Sequence, residues 1–312
     1  MVIIMKKVIE LTLLVISIPF FIVHFFYNFT LKTVISGFNI NKNNQTIRVL
    51  KEDNTVENLN LEDYLIGVVS SEVPVYFEKE ALKAQAVAAR TYALKQIQNN
   101  KDKNYDVTDN TSSQVYQDDN KLREKWKDNY ETNINKVKEC VNETKGEYIT
   151  YDNEIIYAFF FSTSNGKTED NKNVCGKDLP YLKIVDSSFD KSETSSFETT
   201  KELSLSDFYN KLGIDYSDKL NITDEVKTDS GRIYSLKVNN IEFKGREFQS
   251  KLSLRSNDFQ IMQNSDKVII KTKGFGHGVG MSQYGANALA KQNKTYQEIL
   301  KYYYQGTEIQ KF

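Results

Sequence analysis

A single carboxylate interrupts two helix-like patterns in "LEDYLIGVVSSEVPVYFEKEALKAQAVAARTYAL": Glu72, flanked by serines and followed by Val73-Pro74. A carboxyl at a helix C-terminus faces the negative end of the helix dipole, which disfavours ionisation. An apolar valine and proline beside it add desolvation, which acts in the same direction. A carboxyl held protonated is what a general acid for glycosidic cleavage needs. The same position also suits an ordinary solvated acid closing a helix, and local physics leaves both readings open. Other chemistries lack parts. Outside an N-terminal apolar run the chain has one histidine, His277, and no GxSxG elbow, so Ser-His-Asp and Cys-His hydrolysis want partners. "NGKT" at 165–168 ends like a phosphate loop but has Phe161 where that loop requires glycine, and the glycines at 274, 276, 278 and 280 do not fit GxGxxG.

The elements that must position Glu72 follow from spacing. Asn60 caps a helix with Glu62 and Asp63 in its first turn, and Pro74 forces Val73 out of helical geometry, so the helix ends near Glu72. A second helix begins around Glu78, with Leu82, Ala86, Ala89, Ala93 and Ile97 on one apolar face. Arg90 lies off that stripe and need not be core. A charged helical segment runs through Trp126 and Ile134 to about Val141. Tyr148–Tyr151, a turn at Asp152-Asn153 and Ile155–Phe161 read as a hairpin feeding a buried strand. Toward the C-terminus Thr295 and Glu298 have capping-box spacing, and Gly306 suits a helix stop.

The chain has 312 residues, enough for a substantial core, and 41 basic against 42 acidic side chains, which gives no electrostatic case for nucleic acid. Residues 8–27, "VIELTLLVISIPFFIVHFFY", are apolar over a membrane-spanning length, and Lys6 and Lys7 precede them. The expected layout is a cytoplasmic N-terminus over 1–7, a transmembrane anchor over 8–27, a stalk over 28–46 and an extracytoplasmic domain over 47–312. A cleaved signal peptide is the competing reading of the same run. Cys140 and Cys175 are open between one disulfide and two free thiols. The expected fold class is α+β, mixed helix and sheet in one unit of two lobes with the substrate cleft between them.

Five stretches taken together carry a resemblance: "SSEVP", "ALKAQAVAARTYAL", "YAFFFSTSNGKTED", "LPYLKIVDSSFD" and "GFGHGVGMSQYGANALA". In order, over about residues 47–309, they resemble the stage II sporulation protein D family. That resemblance implies a membrane-anchored lytic transglycosylase acting on stem-peptide-free peptidoglycan strands during forespore engulfment. It implies an amidase, sporulation protein P, and a scaffold, sporulation protein M, as partners. It assigns the catalytic glutamate to Glu72. Candidate substrate contacts are Arg90, for a lactyl carboxylate or for Glu72 itself, with Ser113, Gln114, Tyr116, Ser162, Thr163, Ser164, His277, Ser282, Gln283 and Tyr284. Zinc-binding members use His and Cys near positions 114–127; this chain has neither there, so no metal and no cofactor are expected. The same domain also resembles amidase enhancers, which bind peptidoglycan and stimulate an amidase without cutting glycan.

Overall fold

The computed structural model describes residues 45–312; the expected anchor and nearly all of the stalk lie outside them. Strand β1 (Thr46–Leu50) pairs antiparallel with β2 (Val56–Asn60) and parallel with the short β3 (Val107–Thr108). Asn60 caps α1 (Leu61–Glu72), its side-chain oxygen accepting from the Glu62 amide at 2.9 Å. The helix ends at Glu72, as the proline requires, with Val73 extended at φ −126°, ψ 149°.

Helix α2 (Lys79–Asn99) departs from the expected single stripe. Apart from Lys83 it is buried on all sides from Ala81 to Leu94, Arg90 included. The reason is its company. It packs against α1, against α4 (Tyr130–Glu143) and against strand β4 (Glu147–Tyr151), as well as two C-terminal helices. Its run of alanines lets those backbones approach from every direction. Before α4 come α3 (Asp119–Trp126) and a 3₁₀ turn, Lys127–Asn129, where Lys127 at φ 48° interrupts the charged helical segment.

The expected hairpin forms between β4 and β5 (Glu154–Ile155), with Asp152 and Asn153 both at positive φ, the geometry of a tight two-residue turn. Its continuation does not stay in that sheet. Residues Phe160–Phe161, strand β6, pair instead in parallel with a strand more than a hundred residues later.

Residues 198–273 build a second lobe. Short helices α5 (Asn171–Cys175) and α6 (Asp190–Glu193) lead to β7 (Glu198–Ser204) and α7 (Leu205–Leu212). Strands β8 (Ile222–Lys227), β9 (Ile233–Val238) and β10 (Ile241–Lys244) form one antiparallel sheet, followed by α8 (Gly245–Lys251). Strands β11 (Phe259–Asn264) and β12 (Lys267–Lys273) complete a second sheet, with β7 beyond β12. Phe208, Leu236, Phe248, Phe259 and Ile270 belong to a core of this lobe's own.

The chain then returns to the helical lobe. Strand β13 (Met281–Ser282) pairs with β6, and α9 (Gln283–Lys291) and α10 (Tyr296–Tyr303) pack on α2. Thr295 and Glu298 form the expected capping box, and Gly306 at φ 70° turns the chain into β14 (Glu308–Lys311) beside β4. The architecture is mixed helix and sheet. Both cysteines are free thiols, Cys140 buried and Cys175 exposed. Among the described residues no helix is long and apolar enough to cross a membrane, and no His, Cys, Asp or Glu cluster could hold a metal.

Candidate functional site

Glu72 sits half-buried at the last turn of α1, and its Oε1 accepts a hydrogen bond from the Val115 amide at 2.7 Å. Burial holds the carboxyl above the usual glutamate range; the Val115 amide and the Gln283 side chain act in the opposite direction. Gln283 is itself buried, and its side chain faces this carboxyl.

The segment after Glu72 is held rigidly. Lys136 of α4 donates to the carbonyls of Val75 and Phe77 at 2.9 and 2.6 Å, and Lys125 of α3 donates to the Ser70 carbonyl at 2.9 Å. Tyr284 meets Phe77 edge-on with ring centres 5.0 Å apart. Tyr76 is well exposed beside them, its phenol pushed up to about 12, first through its contact with the Tyr284 hydroxyl.

A cavity of about 190 Å³ lies next along the chain from the Val115 amide that binds this acid. Tyr92, Ser113, Gln114, Phe160 and His277 line it, and Gln114 immediately precedes the amide that binds Glu72. Every one of these residues belongs to the helical lobe or to the glycine loop that closes on it.

His277 contributes its ring and not a free nitrogen. Its Nε2 donates to the Phe160 carbonyl at 3.0 Å while Nδ1 accepts from the Val279 amide at 3.1 Å. Burial, and then the charge of Arg246, hold its pKa down to about 4, so it is neutral near pH 7. It ties the glycine loop to β6.

Arg90 requires correction. Its guanidinium is fully buried and gripped by Glu62, with further bonds to the Glu147 and Val141 carbonyls at 3.1 and 3.3 Å. Each guanidinium nitrogen has a protein acceptor, and none of those acceptors is Glu72. An arginine off the apolar stripe became core because α2 has no solvent side at that level, and burial of the charge is met by Glu62.

Tyr116 also turns inward. It stacks on Tyr64 with ring centres 5.3 Å apart and lies over Gly67, where a Cβ would stand 2.4 Å from its ring. Thr163 pairs by backbone with Phe275, and Ser164 donates its amide to Asp190 at 2.7 Å. Ser282 donates its hydroxyl to the same carboxylate and caps α9, accepting from the Gly285 amide at 3.3 Å. The Ser162 carbonyl receives the Tyr284 amide at 3.1 Å. These four residues hold the start of α9, whose first residue, Gln283, faces Glu72. Thr163, Ser164 and Ser282 are buried and present no side chain to a groove.

Sequence reasoning missed several participants. Tyr92 lies on the same face of α2 as Ala89 and Gln85 by helical spacing, and neither side-chain polar atom of the buried Gln85 has a partner among the described residues. Asp190 carries no local sequence signal for its burial, which raises its pKa. Val115 acts through its backbone, for which no sequence signal exists.

Comparison with known proteins places this geometry. Residues 50–151, which include Glu72 and Val115, match the family model described as stage II sporulation protein. The chain is 44% identical over 262 residues to stage II sporulation protein D of Bacillus subtilis, covering 82% of this chain and 76% of that one. The chain belongs to the stage II sporulation protein D family. The relative from Bacillus amyloliquefaciens is 42% identical with the same coverage. A more distant member of the comparison, the amidase enhancer of Bacillus subtilis, is 29% identical over 78% of this chain and 40% of its own.

Proposed function

We propose that this chain is a lytic transglycosylase that cleaves peptidoglycan glycan strands during forespore engulfment, with Glu72 as its acid and base. The observation that carries the reading is a half-buried carboxyl of raised pKa, bound by the Val115 amide next along the chain from a cavity lined by hydroxyl, amide and aromatic groups. Protonated Glu72 gives its proton to the oxygen joining N-acetylmuramic acid to N-acetylglucosamine, and that bond breaks with the electron pair on the leaving oxygen. The carboxylate so formed takes the proton of the muramic 6-hydroxyl as its oxygen bonds to C1, closing a 1,6-anhydro ring and restoring Glu72. Water is not consumed, unlike in paired-carboxylate hydrolysis. The Val115 amide fixes the orientation of the carboxyl through both steps.

The apolar run at 8–27 supports a membrane-anchored protein with its domain outside the cytoplasm. Sporulation proteins P and M are the proposed amidase and scaffold partners. A second reading rests on the relative named amidase enhancer: a domain that binds glycan and stimulates an amidase without cutting.

The deciding experiment is digestion of peptide-free glycan strands with the full-length chain, followed by mass spectrometry. Anhydro-ended products that disappear in Glu72→Gln support the transglycosylase. Intact strands with bound protein support the enhancer, and reducing-end products would refute the anhydro route.

A further inference from the structure

Tyr76 is the most exposed large apolar side chain among the described residues, at 69%. Its backbone is nonetheless held on both sides. Pro74 and Phe77 close a turn, the Phe77 amide donating to the Pro74 carbonyl at 3.0 Å, and Tyr76 is the third residue of that turn. The carbonyls before and after it, of Val75 and Phe77, both accept from the Lys136 ammonium. Phe77 is buried, and the Glu78 amide donates to Asn287 Oδ1 of α9 at 2.9 Å. The phenol is held as well, by its contact with the hydroxyl of the half-buried Tyr284. The rings of Tyr116, Tyr130, Tyr157 and Tyr234 each carry a lysine or arginine over one face. Among the described residues no such cation lies over Tyr76. Folding therefore orders this ring and leaves its face in water, which suits a contact made with something outside the fold.

The start of α9 relates the ring to Glu72. Gln283 and Tyr284 are consecutive there: the side chain of the first faces the Glu72 carboxyl, and the hydroxyl of the second meets Tyr76. The carboxyl also accepts from the Val115 amide, and Gln114, the residue before that amide, lines the 190 Å³ cavity. Glu72 thus has two neighbours of different kinds, a polar cavity reached through Val115 and an aromatic face reached through Gln283 and Tyr284. Glu193, the acid whose charge reaches the Tyr76 phenol, is occupied by Asn287 Nδ2 at 2.7 Å and by Lys291 at 2.9 Å.

We propose that the Tyr76 ring is a stacking platform for one pyranose unit of a glycan strand, next to the bond that Glu72 cleaves and on its Gln283 side. The inference rests on the reading of this chain as a glycan-cutting protein, and it adds a residue that fixes where along the strand the acid acts. A β-linked pyranose presents axial C–H groups on its faces and hydroxyls around its rim. Such a face covers an aromatic ring while the hydroxyls keep their hydrogen bonds. Tyrosine has only two side-chain torsions to order in that contact, and the Tyr284 hydroxyl already restrains them. Tyr76 takes no part in proton transfer; it holds the sugar, and Glu72 acts on the adjoining bond.

The test uses the full-length chain carrying Glu72→Gln, so that bound strands stay intact, and isothermal titration with peptide-free glycan strands. Adding Tyr76→Ala is expected to weaken binding about tenfold, the loss of one aromatic anchor, with an unchanged melting temperature because the ring is exposed. Tyr76→Phe keeps the face and drops the hydroxyl, and is expected to bind nearly as the parent does. Tyr76→Trp is expected to bind at least as tightly, with an emission that changes over the strand concentrations at which heat is released; Trp126, the one native tryptophan, gives the background. Parental affinity in Tyr76→Ala, or a Tyr76→Phe chain as weak as Tyr76→Ala, would overturn the platform. So would silent emission from Tyr76→Trp while strands bind, a reading that holds even where the alanine variant is unstable. The two failures are distinct. If the glycan reading fails, the Glu72→Gln chain binds no strands; if only the cutting fails, the unsubstituted chain makes no anhydro ends and the titrations still report on Tyr76.

Discussion

The Arg90 guanidinium holds the Glu62 carboxylate in two bonds, Nε to Oε1 at 2.9 Å and Nη2 to Oε2 at 2.6 Å. Glu62 also accepts from the Gly146 amide, so one pair joins α1, α2 and the turn before β4. Breaking a buried pair leaves a charge without its partner and costs about 3–5 kcal/mol. Arg90→Ala is therefore expected to lose stability on that scale in urea unfolding. The remaining folded fraction should keep its affinity for glycan. A variant of normal stability with weakened binding would instead return Arg90 to the substrate.

Glu72 gives a stability prediction independent of any substrate. Burial raises its folded pKa above that of the unfolded chain. Between the two values the folded state keeps a proton that the unfolded state has lost, so stability falls as pH rises through that window. Glu72→Gln removes the penalty while leaving an acceptor for the Val115 amide. It should be more stable than the parent at neutral pH and lose the advantage below the ordinary glutamate range, as followed by denaturation at several pH values. A less stable variant at neutral pH would contradict the assignment of burial as the dominant influence.

Gln283 tunes the same group in the opposite sense, since its side chain favours the ionised carboxyl. Gln283→Leu should shift the alkaline limb of the cleavage pH profile upward, because a general acid is lost only when it deprotonates. The size of the shift is read directly from the profile. No shift, or a downward one, counts against Gln283 as a neighbour of the acid.

Asp190 tests the scaffold behind the site. It receives the Ser164 amide and the Ser187 hydroxyl, both at 2.7 Å, as well as Ser282. Asp190→Ala strands these buried donors at about 1–3 kcal/mol each, partly additive. Ser282→Ala, which removes one of them and a helix cap, should cost about 1–2 kcal/mol. Chemical denaturation ranks the two; equal losses would mean that Asp190 does not organise the cluster.

The cysteines differ in reach. Cys140 is buried, and desolvation pushes its thiol up to about 11, whereas Cys175 is exposed. A thiol reagent should modify one cysteine in the native chain and two after denaturation, by mass. Cys140→Ser should leave activity nearly unchanged, as a buried thiol whose one hydrogen bond goes to the Lys79 carbonyl; total loss would give it another role.

The sequence by itself determined where Glu72 falls. Proline chemistry ends α1 there, Asn60 starts it, and the Thr295–Glu298 box and the Asp152-Asn153 turn are equally local, so short-range rules suffice for them. Tertiary structure decided what each polar side chain is for. Arg90 and Ser282 look available in one dimension, yet α2 is enclosed on all sides and α9 starts against Asp190. Periodicity reports one buried face, and it fails for a central helix whose alanines admit neighbours all round. The partners of Glu72 come from residues 43 and 211 positions away, Val115 and Gln283, and only long-range packing brings them to it.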